Sequence, residues 1–196
     1  MDSRTATVRR QTKETDISLT LCLDGHGTCE CHTGVGFFDH MLDGFARHGV
    51  FDLSLRCDGD LHVDQHHTVE DVGIALGTAI RQAAGDKAGI RRYGQCILPM
   101  DDALVLCAQD LSGRPYYASD VRYATEAIGD MPTELFREFF YAVSYTAQMN
   151  LHFKLLSGEN SHHIAEACFK AFAKALDMAT SAEQRVPGVW STKGAL

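Results

Sequence analysis

Long apolar runs are missing from this chain. No segment is unbroken enough to span a bilayer, and the opening MDSRTATVRRQTKETD contains no apolar core of a secretory leader. These two absences predict a cytoplasmic protein with no membrane partner. Basic blocks are equally scarce: no Lys/Arg run is longer than Arg91–Arg92, and the net charge is −8. That balance argues against a nucleic-acid partner held through its phosphates. It leaves room for a small anionic ligand, which needs only a few convergent donors. Prolines number four and no stretch is of low complexity, so no linker shows itself. The 196 residues therefore suit one domain, or two small halves sharing one core. Seven cysteines are too irregularly scattered for a disulfide framework. Cys22, Cys96, Cys107 and Cys168 lie in apolar surroundings and read as reduced, mostly buried thiols.

What the chain does have is histidine, ten in all, against an ordinary 45% hydrophobic and 22% charged background. Their places matter more than their number. The stretch TDISLTLCLDGHGTCECHTGVG reads as two strands around the turn Asp24-Gly25-His26-Gly27. FFDHMLDGFARHG carries Phe37, Phe38, Met41, Leu42 and Phe45 at helical spacing and ends at Gly49. VFDLSLRCDG is a strand. DQHHTVED then opens a helix with Val69, Val72, Leu76, Ala79, Ile80 and Ala83 on one stripe. Further on, GQCILPMDDALVLCAQDLSG and RPYYASDVRY read as strands, with a break at Met100–Asp102. PTELFREFFYAVSYTAQ is a helix with Pro132 near its first turn, and MNLHFKLLSG is a strand. SHHIAEACFKAFAKALDMA is a helix on Ile164, Cys168, Ala171, Phe172 and Ala175, and the tail RVPGVWSTKGAL is irregular.

Written out in this way, the two halves match. Each has strands, a Phe-rich helix, a strand, and a helix opening His-His-x-x-Glu. The pairs His66–His67 and His162–His163 lie 96 residues apart (162 − 66). An internal duplication follows, with halves of about 1–90 and 91–185 forming α+β units about a pseudo-two-fold axis.

Adjacent helical residues point about 100° apart, so the two imidazoles of one pair do not serve one ion from one rigid helix. Glu70 shares a face with His66 or His67, and Glu166 with His162 or His163. Each segment thus supplies an imidazole–carboxylate pair and one imidazole aimed elsewhere. Two metal sites are expected, each drawing on both halves, with a ligand set suited to Mn²⁺, Fe²⁺, Zn²⁺ or Co²⁺. One such segment is most simply a polar helix start; two at equivalent places in a duplicated chain point to metal. His40 and Glu138 occupy matching places on the two Phe-rich helices, 26 and 24 residues before their pairs, and are read as the fourth ligands. His152 is the rival for the second site. Cys29-x-Cys31-His32 reads as a structural strand. His26 is a turn residue, and His48 and His62 have no partner at a telling spacing.

GVGFFDHMLDGFARHGVFDL, DLHVDQHHTVEDVGIALG, PMDDAL, DLSGRP, SGENSHHIAEACFKAFAKAL and STKGAL together resemble the imidazoleglycerol-phosphate dehydratase family, in order along nearly the whole chain. The resemblance implies a duplicated α+β fold of ferredoxin-like halves, with mixed sheets and helices packed on one face. It implies a homo-oligomeric shell of about 24 copies, with active sites between subunits. Each site would hold two manganese ions, bridged by the imidazole ring of a phosphorylated substrate. His40, His66, His67, Glu70, His162, His163 and Glu166 map onto the metal ligands. Family members often carry His where this chain has Glu138. Substrate contacts map onto Glu14, His40, Arg92, Arg114, Ser191, Thr192 and Lys193. Two guanidiniums, an ammonium and hydroxyls are what a phosphate monoester dianion needs.

The implied reaction removes water from the glycerol side chain in histidine biosynthesis, giving imidazole acetol phosphate. No carbonyl acidifies the hydrogen that is lost, and hydroxide leaves poorly. A metal pair that stabilises the imidazolate form of the ring makes the ring an electron source. Glu14 is the expected acid/base, with Glu70 or Glu166 next. Two rival readings share the ligands: a dinuclear metallohydrolase, and a metal-storage or metal-sensing shell. Arg92, Arg114 and Lys193 favour the dehydratase over storage.

Overall fold

Strands form where apolar and polar residues alternate, and helices where apolar side chains recur every third or fourth residue. The computed structural model describes residues 3–196. In its first half, β1 (Thr5–Gln11), β2 (Thr15–Cys22) and β3 (Cys29–His32) precede α1 (Gly36–Gly49), β4 (Asp52–Gly59) and α2 (His66–Ala84). The order then returns as β5 (Tyr93–Met100), β6 (Ala103–Asp110), β7 (Tyr116–Ser119), α3 (Glu134–Ala147), β10 (Asn150–Ser157) and α4 (Ser161–Thr180). Only the short pair β8 (Ala127–Ile128) and β9 (Met131–Pro132) lacks a counterpart among the described residues.

The sheets repeat as well, in the orders β1-β2-β4-β3 and β5-β6-β10-β7. In each, three strands run antiparallel and the last edge strand lies parallel to its neighbour. A parallel neighbour requires a crossover, which α1 and α3 provide. The architecture is thus the mixed-sheet α+β duplication expected from the sequence. Ile17, Leu19 and Leu21 of β2, Leu53 and Leu55 of β4, and Val105 and Cys107 of β6 turn their side chains into the core.

The halves interlock through their helices, α2 against α3 and α1 against α4, around one continuous core. Gly73 and Gly77 bring α2 unusually close to α3. A Cβ on Gly73 would stand 2.8 Å from the Phe139 carbonyl oxygen, and one on Gly77 3.0 Å from the Ala147 nitrogen. Phenylalanines fill the junction: Phe38 meets Phe139 edge-on with centroids 5.2 Å apart, and Phe139 stacks on Phe169 at 5.2 Å.

Several sequence expectations are corrected. The strands flanking Asp24–Gly27 do not pair with each other, because β4 lies between them. Asp52, at the start of β4, accepts hydrogen bonds from the His26 and Thr28 amides at 2.9 and 3.0 Å, fastening the loop to β4. Strand β1 was not anticipated, since only Ala6 is fully buried and its inner face ends in the charged Arg10, which reaches buried Asp71. RPYYASDVRY forms a strand only over Tyr116–Ser119. Pro132 belongs to β9, and the helix begins after Thr133, whose hydroxyl is held by the Thr125 carbonyl at 2.9 Å. Helix α1 does end at Gly49, as read, and the left-handed residue that closes it is Val50 (φ 58°).

Candidate metal centre

His162 and His163 start α4 because Asn160 caps it, its side-chain oxygen accepting from both their amides. One turn later Glu166 returns to His162, with Oε2 3.1 Å from Nε2. His40 reaches the same carboxylate oxygen from α1, at 3.9 Å. The ligand atoms of His40, His162 and Glu166 all lie within 4.8 Å of one another, the only such group among the described residues. Phe37, one turn before Met41, walls the cluster, its ring edge-on to His162 at 5.1 Å and to His40 at 6.3 Å. The helix pairing of α1 with α4 therefore joins a first-half ligand to the second-half pair.

Burial alone would raise the Glu166 pKa, but the Lys170 ammonium at 2.6 Å, together with His162, brings it below the ordinary carboxylate value. The carboxylate stays ionised and ready for a cation.

The other helix start repeats the geometry more loosely. His66 Nε2 is 3.7 Å from Glu70 Oε2. Glu138 is half-buried at the position on α3 equivalent to His40, yet it joins no ligand group within the chain among the described residues. His152 lies on the exposed side of β10 against Tyr116, centroids 5.5 Å apart.

The second histidine of each pair is oriented by an aspartate. His67 donates from Nδ1 to Asp60 at 2.9 Å, and His163 from Nδ1 to Asp102 at 2.6 Å. Such a bond fixes the tautomer and leaves Nε2 beside Glu14 in His67 and beside Asp101 in His163, at 3.8 and 3.4 Å. The Asp60 bond, chiefly, raises the His67 pKa above its ordinary 6.5. Asp102 is held far below the usual carboxylate range by the Glu159 and Asn160 amides and then by His163.

Glu14 reaches His67 from the β1–β2 turn, its Oε1 3.8 Å from Nε2. Two bonds keep that turn over the helix start: Asp60 N donates to the Glu14 carbonyl at 3.0 Å, and Thr15 donates to buried Asp71 at 2.5 Å. Asp71 also accepts from Arg10 at 2.7 Å.

Asp60, Asp71, Asp102 and Lys170 were not singled out from the sequence, and Phe37 was read only as part of an apolar helix face. Lys170 had a readable signal, the i, i+4 spacing to Glu166. Asp102 had none, because it is the β5–β6 turn that carries it 61 residues back to His163.

Arg92, Arg114, Ser191, Thr192 and Lys193, scattered over a hundred residues, converge with Trp190 around one cavity of about 320 Å³. The chain before Arg92 pairs with the tail through Ala88↔Val189 and Ile90↔Ala182. Arg92 itself is buried and committed: it grips Asp110 at 2.6 and 3.0 Å and donates to the Trp190 carbonyl at 2.7 Å. It shapes the cavity, and the exposed Arg114 and Lys193 supply its available positive charge. None of the histidines lines this cavity.

Fold and site together define a class: a duplicated α+β protein with histidine–carboxylate sets at two repeated helix starts and a cationic cavity against its tail. Comparison with known proteins narrows the class. Residues 33–176 match the family model described as imidazoleglycerol-phosphate dehydratase. The chain is 60% identical over 192 residues to the imidazoleglycerol-phosphate dehydratase of Lachnoclostridium phytofermentans, covering 98% of each. It is 58% identical over 189 residues to that of Acetivibrio thermocellus, covering 96% of this chain and 97% of the relative. The solved Staphylococcus aureus enzyme superposes with a TM-score of 0.82 at 36% identity, over 91% of this chain and 99% of that one. The Pyrococcus furiosus enzyme gives 0.82 at 40% identity, over 96% and 100%. The chain belongs to the imidazoleglycerol-phosphate dehydratase family. It is accordingly a hydro-lyase of histidine biosynthesis, a carbon–oxygen lyase by class.

Proposed function

We propose that the protein converts imidazoleglycerol phosphate into imidazole acetol phosphate in the cytoplasm, using two manganese ions per site. We further propose that it works as a shell of about 24 copies with active sites between subunits. The observation that carries this reading is the joining of His40 to His162 and Glu166 across the halves of the duplication. Two imidazole nitrogens and an ionised carboxylate oxygen within 4.8 Å form a borderline-to-hard donor set, which fits manganese. His40, His66, His67, Glu70, Glu138, His162, His163 and Glu166 would hold the ions.

Bound there, manganese supplies Lewis acidity that stabilises the deprotonated imidazole ring of the substrate. The remaining work belongs to the chain. Asp60 and Asp102 hold the Nδ1 atoms of His67 and His163, which would leave Nε2 of each for an ion. Glu14, half-exposed and 3.8 Å from His67, would take the proton from the carbon next to the one that loses its hydroxyl. Glu70 and Glu166 are the next candidates for that step. Arg114, Lys193, Ser191 and Thr192 present charge and hydroxyls to the phosphate, in the cavity that Arg92 shapes.

Within one chain this cavity and the histidines are separate, and the His66–Glu70 pair has no third ligand among the described residues. Both features support sites completed by a neighbouring subunit. The test is dehydration of imidazoleglycerol phosphate by the purified protein, with and without Mn²⁺. Turnover that appears only with the metal is expected; full turnover by the metal-free protein would overturn the proposal.

A further inference from the structure

We propose that Cys29 and Cys31 form a reversible disulfide within strand β3, a modification site for two-electron oxidants such as hydrogen peroxide. Their sulfur atoms lie 2.9 Å apart, and among the described residues no other two cysteines make a sulfur–sulfur contact. Both thiols are free and half-buried. Both pack on the core-facing side of β3, register partners of Leu53 and Leu55, so the two side chains share one face.

Residues two apart in a flat strand have Cα atoms about 6.6 Å apart, near the long limit for a disulfide. The bond therefore needs a local contraction of β3 by about 1 Å toward the usual spacing. β3 is suited to that: it is an edge strand, bonded only to β4. Left-handed glycines flank it, Gly27 (φ 84°) and Gly34 (φ 82°). A bond formed under such strain is easily reduced, which is the property of a labile, regulatory disulfide. Just beyond β3, Thr33 is held by Asp39 through bonds of 2.9 and 2.7 Å, so the pair sits one hydrogen-bonded step from the helix that carries His40.

The chemistry balances with peroxide as the oxidant. The shared contact with Cys29, and then burial, push the Cys31 thiol up, and Cys31 is assigned the second, resolving attack. The Cys29 thiolate attacks one peroxide oxygen, the O–O bond breaks, and hydroxide leaves with the proton that Cys29 had released. Cys31 sulfur then attacks the sulfenic acid, giving up its own proton as the S–S bond forms and water departs. Two thiols and one peroxide become one disulfide and two waters.

The test treats the metal-loaded protein with hydrogen peroxide, unfolds it, alkylates the remaining thiols and maps the peptides. The expected result is a peptide spanning 29–31 that is unalkylated and lighter by about 2 Da. Five of the seven thiols stay reactive (7 − 2), and dithiothreitol restores the other two. In Cys31→Ser the same treatment should leave a sulfenic acid at Cys29. A wild-type peptide with both thiols alkylated, or with sulfinic acid at Cys29 in place of the disulfide, would overturn the proposal.

Discussion

His67 and His163 occupy the same place in the two halves, and each gives its Nδ1 proton to an aspartate that sequence spacing did not reveal. On the proposed function the consequence is a pair of preset ligand atoms, since a histidine held at one nitrogen offers the other in a fixed direction. Asp102→Asn and Asp60→Asn should each lower manganese affinity about 10–100-fold, measured by titration calorimetry. Titration carries a further sign. Metal needs the neutral imidazole, and Asp60 raises the His67 pKa above 6.5. Manganese affinity should therefore fall as pH drops through that raised value, and Asp60→Asn should move the midpoint of the fall downward. Glu14 lies outside the ligand set, so Glu14→Gln should keep its manganese while losing about 10²-fold or more in kcat. Retained metal with near-normal turnover would remove Glu14 from acid/base duty.

At the scale of elements, the site exists because α1 packs on α4 and α2 on α3. Gly77 is where the second contact is tightest. Gly77→Ala would press its methyl on the Val143 carbonyl oxygen and the Ala147 nitrogen, and should cost about 1–3 kcal/mol in denaturant unfolding. A Tm unchanged by that substitution would mean that the helices slide apart freely. Much of this level was legible in the sequence. The Phe-rich helices, the HHxxE helices and the repeat were all visible, because apolar spacing and a 96-residue offset are local or periodic signals. Strand β1 was not, since only Ala6 and Val8 mark its inner face and the charged Arg10 occupies the next inward place. Nor was the insertion of β4 between β2 and β3, because strand order is set by the crossover through α1 and leaves no mark in a hairpin-like turn. The same reason explains the site. Ligand types could be named from spacing, whereas His40 meeting His162, and Asp102 meeting His163, depend on how remote elements pack.

At the scale of the whole molecule, one chain holds the His40–His162–Glu166 cluster, the looser His66–Glu70 pair and a cationic cavity without histidines. If neighbouring chains complete these sets, metal binding stabilises assembly by mass action. Chelation should then shrink the particle in sedimentation velocity, and added Mn²⁺ should restore it; a size indifferent to metal would count against shared sites. The most direct measurement is anomalous scattering from crystals grown with manganese. The account predicts two manganese peaks per chain, on His40, His66, His67, His162 and His163 with their carboxylates, each peak touching residues of more than one chain. Histidine pairs with no metal beside them, or ions held wholly by one chain, would contradict it.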